Sequence, residues 1–227
     1  MRPTCLLLDL DGTLVDSAPG IIASVATALT ALGVPVPDRG KLLTFVGPPM
    51  HDTFRDVVGL DEQTARRALQ LYRAQYAESG ALDSRVYDGV PELLEALAAA
   101  ALPMAVATSK VEDQAERITE HYGLAPYLAT VCGTSDGAGR TSKRQVIREC
   151  LRRLHAQHVD VSRPLMVGDR GYDVQSAAAE GIPTIRVLWG YGDSSESADA
   201  YATADTPPAL AQLLATSREL EDSRSRF

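Results

Sequence analysis

The sequence predicts an α/β protein in which a doubly wound parallel sheet carries an inserted block of helices. Short apolar segments alternate with longer amphipathic ones, and near-continuous apolar runs of this length are typical of parallel strands buried on both faces. Such alternation predicts a parallel sheet with right-handed crossovers. It stops between residues 16 and 84, where the pattern is helical. We therefore expect a core domain of residues 1–15 and 84–227 and an α-helical cap domain of residues 16–83.

The predicted strands are short, apolar and mostly followed by turn residues: 5–8, 104–107, 129–131, 165–167 and 184–188. The predicted helices of the core are residues 91–100, 111–122, 143–157, 172–180 and 208–214. Those of the cap are residues 19–32, 38–44, 50–57 and 62–79, in which apolar residues recur at helical spacing. Active sites in such sheets form beyond the carboxyl ends of the strands, so residues that follow strands are the candidates for chemistry.

Composition and charge argue against several classes of protein. The 227 residues are 45% hydrophobic and 23% charged, which is ordinary for a soluble globular protein. A net charge of −8 argues against binding to a nucleic acid polymer. No apolar run is long enough to span a membrane, and the N-terminal apolar stretch meets Asp9 too early for a signal peptide, so we expect a cytoplasmic location. The three cysteines are scattered, which disfavours a disulfide framework or a zinc site.

Two aspartates follow the first predicted strand. Asp9 and Asp11 are two residues apart, so both side chains point to the same side at the end of the strand. Carboxylates this close repel each other, and a divalent cation such as Mg2+ removes the conflict because it prefers oxygen ligands. Gly12 then allows a tight turn whose N–H groups can face an anion. A simple Asp-Gly turn is the structural alternative, but the whole run of residues 5–14, CLLLDLDGTL, favours a functional site.

Hydroxyl side chains follow the second predicted strand, and basic candidates follow the second and the third. Thr108 and Ser109 stand at the end of the second strand, although a threonine in this position is more often the cap of the next helix. Lys143 stands at a predicted helix start, from which its ammonium group can reach back towards the cleft. Lys110 and Arg140 are the competing candidates for this basic group, and a solvated lysine at a helix end is the structural alternative.

A second pair of aspartates lies near the end of the fourth predicted strand. Asp169 ends that strand, and Asp173 lies one helical turn further on the same face. A strand-end acid and a first-turn acid together make a platform for Mg2+. For Asp173 the structural alternative is favourable placement near a helix N-terminus.

These segments, in this order, resemble the haloacid dehalogenase superfamily, specifically its phosphoglycolate-phosphatase-like branch. Many relatives have Asn where this chain has Ser109. The resemblance implies a Rossmann-like core with an inserted cap and extends to about residue 205. The matching segments are residues 9–17 (DLDGTLVDS), 105–110 (AVATSK), 139–143 (GRTSK) and 167–173 (VGDRGYD).

The resemblance implies a role for each candidate. In the family the first aspartate attacks phosphorus and forms an aspartyl-phosphate, a role that falls to Asp9. The second, Asp11, protonates the leaving alkoxide and then deprotonates the attacking water. Family dehalogenases lack this second acid, so its presence favours phosphate chemistry. Mg2+ would be held by Asp9, the main-chain carbonyl of Asp11 and Asp169, with Asp173 in support. The implied phosphate ligands are Thr108, Ser109 and Lys143.

A stiff loop in the cap resembles the family loop that faces the site. It covers residues 45–54, FVGPPMHDTF, in which Pro48 and its neighbouring proline limit the freedom of the loop. His51 could contact the leaving group, and a surface histidine at a helix start is an equal alternative. Arg55 could bind a substrate carboxylate, but a solvated arginine is the favoured interpretation.

We expect an Mg2+-dependent phosphomonoesterase acting on a small organic phosphate such as phosphoglycolate. Residues 133–143 and 187–192 resemble nucleotidase-like members, so a 5′-nucleotidase is the alternative. Trp189 and Tyr191 could then stack on a base, although packing beside the sheet is the favoured role for both.

A catalytically idle regulatory or binding protein on the same fold is an alternative from a different class. It is disfavoured because binding alone requires no combination of two acids and a lysine. The expected partner is a small phosphate monoester, with no nucleic acid polymer and no membrane. We expect a monomer or a homodimer, and the sequence does not choose between them.

Overall fold

Parallel strands form a sheet at the centre of the molecule. The computed structural model describes residues 3–224, and their side chains as far as residue 215. In chain order the strands are β1 (Cys5–Leu8), β2 (Val15–Asp16), β3 (Arg85–Val86), β4 (Met104–Val111), β5 (Thr130–Thr134), β6 (Pro164–Gly168), β7 (Thr184–Val187) and β8 (Ala202–Ala204). Six of them form the sheet, in the order β5-β4-β1-β6-β7-β8, and each neighbouring pair is parallel. The predicted α/β fold class is confirmed.

Helices pack on both faces of this sheet. In chain order they are α1 (Ala18–Ala31), α2 (Arg39–Leu43), α3 (Met50–Asp52), α4 (Glu62–Glu78), α5 (Val90–Ala99), α6 (Glu112–His121), α7 (Lys143–Ala156), α8 (Gly171–Ala178) and α9 (Pro207–Arg224). The chain continues from α3 as a π-helical stretch, Thr53–Val57, and α9 runs well past its predicted end at residue 214. Within residues 3–224, no helix combines the length and the apolar character needed to cross a membrane.

The two faces of the sheet have separate cores because alternate residues of a strand point to opposite sides. In β1, Cys5 and Leu7 belong to a buried cluster with α7 and α8. Leu6 and Leu8 belong to the other buried cluster, which includes α5 and α9. This burial on both sides explains why β1 is a continuous apolar run rather than an alternating one.

The helices α1 to α4 form an insertion between β2 and β3. These two strands pair in antiparallel fashion, so the chain leaves and re-enters the core at neighbouring positions. No strand occurs between them, in agreement with the helical pattern predicted for residues 16–83. That residues 16–83 form a separate domain stays a prediction. The same holds for the core bounds 1–15 and 84–227, of which residues 1–2 and 225–227 lie outside the described part.

Three short strands and several strand ends differ from the prediction; β5, for example, runs to Thr134 rather than to residue 131. β2, β3 and β8 have two or three residues each, too few for a periodic pattern. β4 was predicted to end at residue 107 but continues to Val111, with a shift in its register with β5 after Ala107. The alternative of Thr108 as a helix cap is therefore wrong, because the residue that precedes α6 is Val111.

Helix α1 approaches the following helical turn, Gly80–Leu82, most closely at Gly20. A Cβ atom at Gly20 would overlap the main-chain carbonyl of Gly80. We expect Gly20→Ala to destabilise the protein by about 1–3 kcal/mol, a usual cost of overpacking, seen as a lower urea midpoint. Gly137→Ala is the matched control, since a Cβ there meets nothing within 4 Å. Equal midpoints for the two variants would contradict the close approach.

Candidate active site

Adjacent strands bring the predicted acidic residues together at the carboxyl end of the sheet. Asp9 directly follows β1, and Asp169 directly follows β6, its parallel neighbour. Asp173 lies in the first turn of α8. One oxygen from each of these buried carboxylates lies within 4.8 Å of the others. The fold thus unites two segments that are far apart in the sequence.

Lys143 lies among these carboxylates. It is the first residue of α7, whose start is fixed by a capping box between Ser142 and Gln145. Its side chain is 1% exposed, and its ammonium nitrogen is 2.9 Å from Asp9 Oδ1 and also pairs with Asp173. Burial alone would lower the pKa of Lys143, but the two carboxylates hold that pKa above its ordinary value. The solvated lysine considered as an alternative is therefore not what the structure shows.

Arg140, one of the two competing basic residues, lies outside this group. Its guanidinium is 2.5 Å from a carboxylate oxygen of Glu112 and donates to the main-chain carbonyl of Gly133 at 2.6 Å. These contacts tie the loop after β5 to α6. Arg140 therefore serves the packing of the loop, and the basic group of the acidic cluster is Lys143.

The acidic cluster fits a divalent cation. Burial raises the pKa of Asp169 to about 8, and Asp173 and Asp9 add to the increase. Burial likewise raises the pKa of Asp173 to about 6, against the effect of Lys143. Asp169 Oδ2 accepts a hydrogen bond from the N–H of Tyr191 at 2.7 Å, whereas its Oδ1 is buried without a partner. A buried oxygen with no partner beside two more carboxylates is a ligand set that a hard cation satisfies.

Asp11 has a different neighbour from these acids. Its Oδ2 is 2.9 Å from Nζ of Lys110, whose side chain is only 5% exposed, and its Oδ1 is buried without a hydrogen-bond partner. The side chain of Asp11 is not one of the three that share the cation-type cluster. Lys110, which was predicted only as a competitor of Lys143, therefore lies in the site as well. The two lysines neutralise different aspartates.

Thr108 and Ser109 lie in the extended part of β4, the strand beside β1. The main-chain N–H of Lys110 donates to Thr108 Oγ1 at 3.3 Å. Ser109 Oγ is buried without a hydrogen-bond partner, and Ser109 lines the cavity described below. The predicted hydroxyl pair is therefore at the same end of the sheet as Asp9.

Two glycines allow the chain to close over Asp169. Gly12 has a φ of +80°, and a Cβ there would overlap the Asp169 carboxylate. A Cβ at Gly190 would overlap both the main-chain oxygen of Gly12 and the side chain of Asp169. Gly12 is recognisable in the sequence as a turn residue, whereas Gly190 is not, because its close approach to Asp169 exists only in the folded chain.

Trp189 and Tyr191 hold the segment that follows β1. Trp189 Nε1 donates to the main-chain oxygen of Thr13 at 3.0 Å. The Tyr191 hydroxyl donates to Asp16 Oδ1 at 2.6 Å and accepts from the N–H of Ala18 at 3.0 Å. Both rings pack against the core and neither lines the cavity, which agrees with the favoured structural role and not with stacking on a base.

A cavity of about 680 Å3 lies beside Asp11, between the insertion and the core. Its volume is within the range of sites that bind small organic molecules. Pro48 and His51 line it, whereas Arg55 does not and instead donates to Asp56 at 2.7 Å. The His51 ring nitrogens lie 3.6 Å from carboxylates of Asp52 and Glu62.

Other residues that line the cavity were not predicted to belong to the site. They include Tyr72, Arg73, Tyr76 and Gln114.

Comparison with known proteins gives the family. The sequence profile of the haloacid dehalogenase-like hydrolases matches residues 6–187, and the chain belongs to this family. A solved structure of a predicted phosphatase from Clostridium acetobutylicum matches with a TM-score of 0.88 and 33% identity, over 95% of this chain and 100% of that one. The class that the fold and the strand-end carboxylates define is therefore the one that the resemblance implied.

Curated relatives carry different names. The tyrosine-protein kinase PtkA of Mycobacterium tuberculosis is 43% identical over 190 residues, which are 84% of this chain and 64% of that protein. The chain thus spans less than two thirds of the length of this mycobacterial relative. A 5′-nucleotidase of Pseudomonas aeruginosa is 38% identical over 198 residues, 86% of this chain and 87% of that protein. A phosphoglycolate phosphatase of Cupriavidus necator is 30% identical over 223 residues, 95% and 94% of the two chains.

The buried carboxylates predict how stability of the metal-free protein depends on pH. The folded pKa values of about 8 for Asp169 and about 6 for Asp173 lie above the ordinary value of about 3.9. The folded protein therefore binds more protons than the unfolded chain, and the contribution of these groups, complete below about pH 4, is lost as the pH rises towards about 8. We expect the free energy of unfolding in EDTA to fall over this interval, with a shallower slope for Asp169→Asn, which stays neutral. Parallel curves for the two proteins would show that Asp169 is not the cause.

Proposed function

We propose that the chain is an Mg2+-dependent phosphomonoesterase with Asp9 as its nucleophile. The observation that carries the proposal is the contrast between two aspartates of one turn. Asp9 belongs to the cation-type cluster and pairs with Lys143, whereas Asp11 lies outside that cluster, pairs with Lys110 and lines the cavity. Carboxylates in different environments take different roles in catalysis.

The proposed reaction has two steps. Asp9 attacks phosphorus, the bond from phosphorus to the ester oxygen breaks, and Asp11 gives its proton to the departing oxygen. Asp11 then takes a proton from water, whose oxygen attacks the phosphorus of the aspartyl-phosphate. This second step releases inorganic phosphate and restores the Asp9 carboxylate. Each half-reaction needs Asp11 in the opposite protonation state, and the first half-reaction supplies the state that the second one uses.

Several side chains would hold the phosphoryl group during both steps. Lys143 is charged and already paired with the nucleophile, so it can neutralise a phosphoryl oxygen beside Asp9. Thr108 and Ser109 supply hydroxyl groups from the neighbouring strand. We propose that Asp9, Asp169 and Asp173 would hold Mg2+, with the main-chain carbonyl of Asp11. When bound, the cation would stabilise negative charge on the phosphoryl oxygens.

We propose that residues 16–83 act as a cap over the leaving group. Pro48 and His51 of the insertion line the same cavity as Asp11, so they are candidates to contact the part of the substrate that leaves. A small organic acid phosphate such as phosphoglycolate is the first candidate substrate, supported by the phosphoglycolate phosphatase relative.

A 5′-nucleotidase is the second candidate, and the cavity itself favours it. A volume of about 680 Å3 is more than a two-carbon acid requires, and the walls include the stacked rings of Tyr72 and Tyr76, with centroids 5.5 Å apart. The nucleotidase relative is also the more similar of the two, at 38% identity against 30%. The rings that would meet a base are therefore in α4 and not at Trp189 or Tyr191.

The mycobacterial relative named as a tyrosine-protein kinase suggests a third outcome. An aspartyl-phosphate can pass its phosphoryl group to a hydroxyl group other than that of water, so the same nucleophile could serve a transferase. Release of inorganic phosphate from an ester, compared with labelling of protein tyrosine by ATP, separates these outcomes. A binding protein without catalysis would give neither product.

The nucleophile and the acid/base are tested by two substitutions. We expect Asp9→Asn to abolish hydrolysis of p-nitrophenyl phosphate, and Asp11→Asn to slow turnover of an alkyl phosphate by about 100–10,000-fold, the usual range for general acid–base catalysis. Circular dichroism and thermal melting check that both variants fold. EDTA should remove wild-type activity, and added Mg2+ should restore it. An undiminished rate in Asp9→Asn would refute the assignment of the nucleophile.

The substrate class is tested by kcat/KM for a panel of phosphomonoesters that contains phosphoglycolate, several nucleoside 5′-monophosphates and sugar phosphates. We expect nucleoside monophosphates to exceed sugar phosphates of similar charge because the cavity offers an aromatic wall. Tyr72→Ala should lower kcat/KM for the nucleotides and leave kcat/KM for the sugar phosphates nearly unchanged. A phosphoglycolate value above all nucleotides would instead support the first candidate.

A further inference from the structure

Asp11 is connected to the insertion through Lys110 and Tyr76. Lys110 Nζ is 2.9 Å from Asp11 Oδ2 and donates to the Tyr76 hydroxyl at 2.6 Å. The same nitrogen is 4.3 Å from the centre of the Tyr76 ring. Asp11 and Lys110 belong to the core, whereas Tyr76 belongs to α4 of the insertion. One ammonium group therefore contacts the proposed acid/base on one side and the insertion on the other.

Lys110 owes this position to the extended end of β4. The register of β4 with β5 shifts between Ala107 and Val111, and the Lys110 N–H is held by the Thr108 hydroxyl at 3.3 Å. A helix that began directly after residue 107 would not present Lys110 beside the turn that carries Asp11. The irregular strand end thus has a consequence for the site.

Tyr76 is itself held firmly within the insertion. It is buried, and its ring stacks on Tyr72 at a centroid distance of 5.5 Å. Tyr72 in turn meets the edge of Phe54, with centroids 6.4 Å apart. The hydroxyl that meets Lys110 therefore moves only if this aromatic stack moves with it.

The two oxygens of Asp11 are not equivalent as a result. Oδ2 is occupied by Lys110, whereas Oδ1 is buried and has no hydrogen-bond partner. Oδ1 is therefore the oxygen that is free to bond to the ester oxygen of a substrate. The pairing fixes the carboxyl group in one orientation, which is what efficient proton transfer requires.

We infer that Lys110 and Tyr76 are positioning residues that orient Asp11 towards the leaving group only while the insertion contacts the core. The inference rests on the proposed function of Asp11. During the first step the proton moves from Asp11 Oδ1 to the ester oxygen as the phosphorus–oxygen bond breaks, while Lys110 and Tyr76 keep their protons. Movement of α4 away from the core removes the Tyr76 hydroxyl from Lys110, so proton donation is tied to closure over the substrate.

The dependence on the leaving group distinguishes this role from a structural one. An alkoxide needs a proton to leave, whereas p-nitrophenolate is a weak base and leaves without much help. We compare kcat/KM for p-nitrophenyl phosphate with that for adenosine 5′-monophosphate or phosphoglycolate, whichever the wild type hydrolyses faster. For Lys110→Met we expect a loss on the alkyl ester about 10–100-fold greater than on p-nitrophenyl phosphate. For Tyr76→Phe we expect the same preferential loss on the alkyl ester, but only about 3–10-fold, because a hydrogen bond that orients Lys110 is lost while the contact of Lys110 with Asp11 remains.

Tyr122→Phe is the matched control. The Tyr122 hydroxyl lies within hydrogen-bond distance of the main-chain oxygen of Leu82, at 3.0 Å, and so also joins the core to the end of the insertion, but no contact links it to Lys110 or Asp11. This variant should lower the melting temperature and leave the ratio of kcat/KM values between the two esters unchanged. A change of that ratio equal to the change in Tyr76→Phe would overturn the inference, because any loosened contact would then have the same effect.

A double-mutant cycle tests whether Lys110 acts through Asp11. In the Asp11→Asn background, Lys110→Met should cause no further loss on the alkyl ester, since the group that it positions is already absent. A full additional loss, or an equal loss on both esters, would show that Lys110 binds the phosphoryl group directly, and the inference would fail. Wild-type protein that hydrolyses none of the esters would refute the proposed function itself, an outcome distinct from active enzyme with unchanged ester ratios.

Discussion

Negative charge buried at one end of a parallel sheet is the constraint on which the rest of this molecule depends. Four carboxylates there are each at most 7% exposed: Asp9, Asp11, Asp169 and Asp173. Lys143 and Lys110 pair with members of this group, so when all four are ionised two negative charges are balanced and two are not. Unbalanced charge is costly in a buried site, and a single divalent cation would neutralise the two remaining negative charges.

The surrounding backbone packs closely against these aspartates and buries them. Gly12 and Gly190 let two loops meet the Asp169 carboxylate at distances that no side chain would permit. The buried guanidinium of Arg186 donates to the main-chain oxygen of Asp169 at 2.8 Å, which fixes the strand end without using the carboxylate. Tyr191 contributes an N–H to the same carboxylate. The oxygens that remain free are those that chemistry at this site would use.

The helical insertion contacts the core near the buried carboxylates. Arg73 of α4 pairs with Asp136 of the core loop at 2.6 Å, and Arg170, next to Asp169, donates to the main-chain oxygen of Val46 at 2.6 Å. The insertion therefore touches the acidic cluster through Arg170 and the cavity wall through Arg73. A cap that selects the substrate would need such contacts with the core. Through them, a leaving group bound under the cap can affect the aspartates at the end of the sheet.

The sequence alone determined the β1 strand, the helical insertion and the aspartates that follow β1 and β6, because apolar runs, helical spacing and strand-end acids are local patterns. The position of Lys143 at a helix start could also be predicted from the sequence, since the helix begins with a recognisable capping box. Only the tertiary structure decided that Lys110 pairs with Asp11, and that Tyr76 meets Lys110 from 34 positions away. The continuation of β4 through Thr108 likewise depends on pairing with β5. Such contacts join residues from separate elements, and their distances are set by packing rather than by the period or turn chemistry of any one segment.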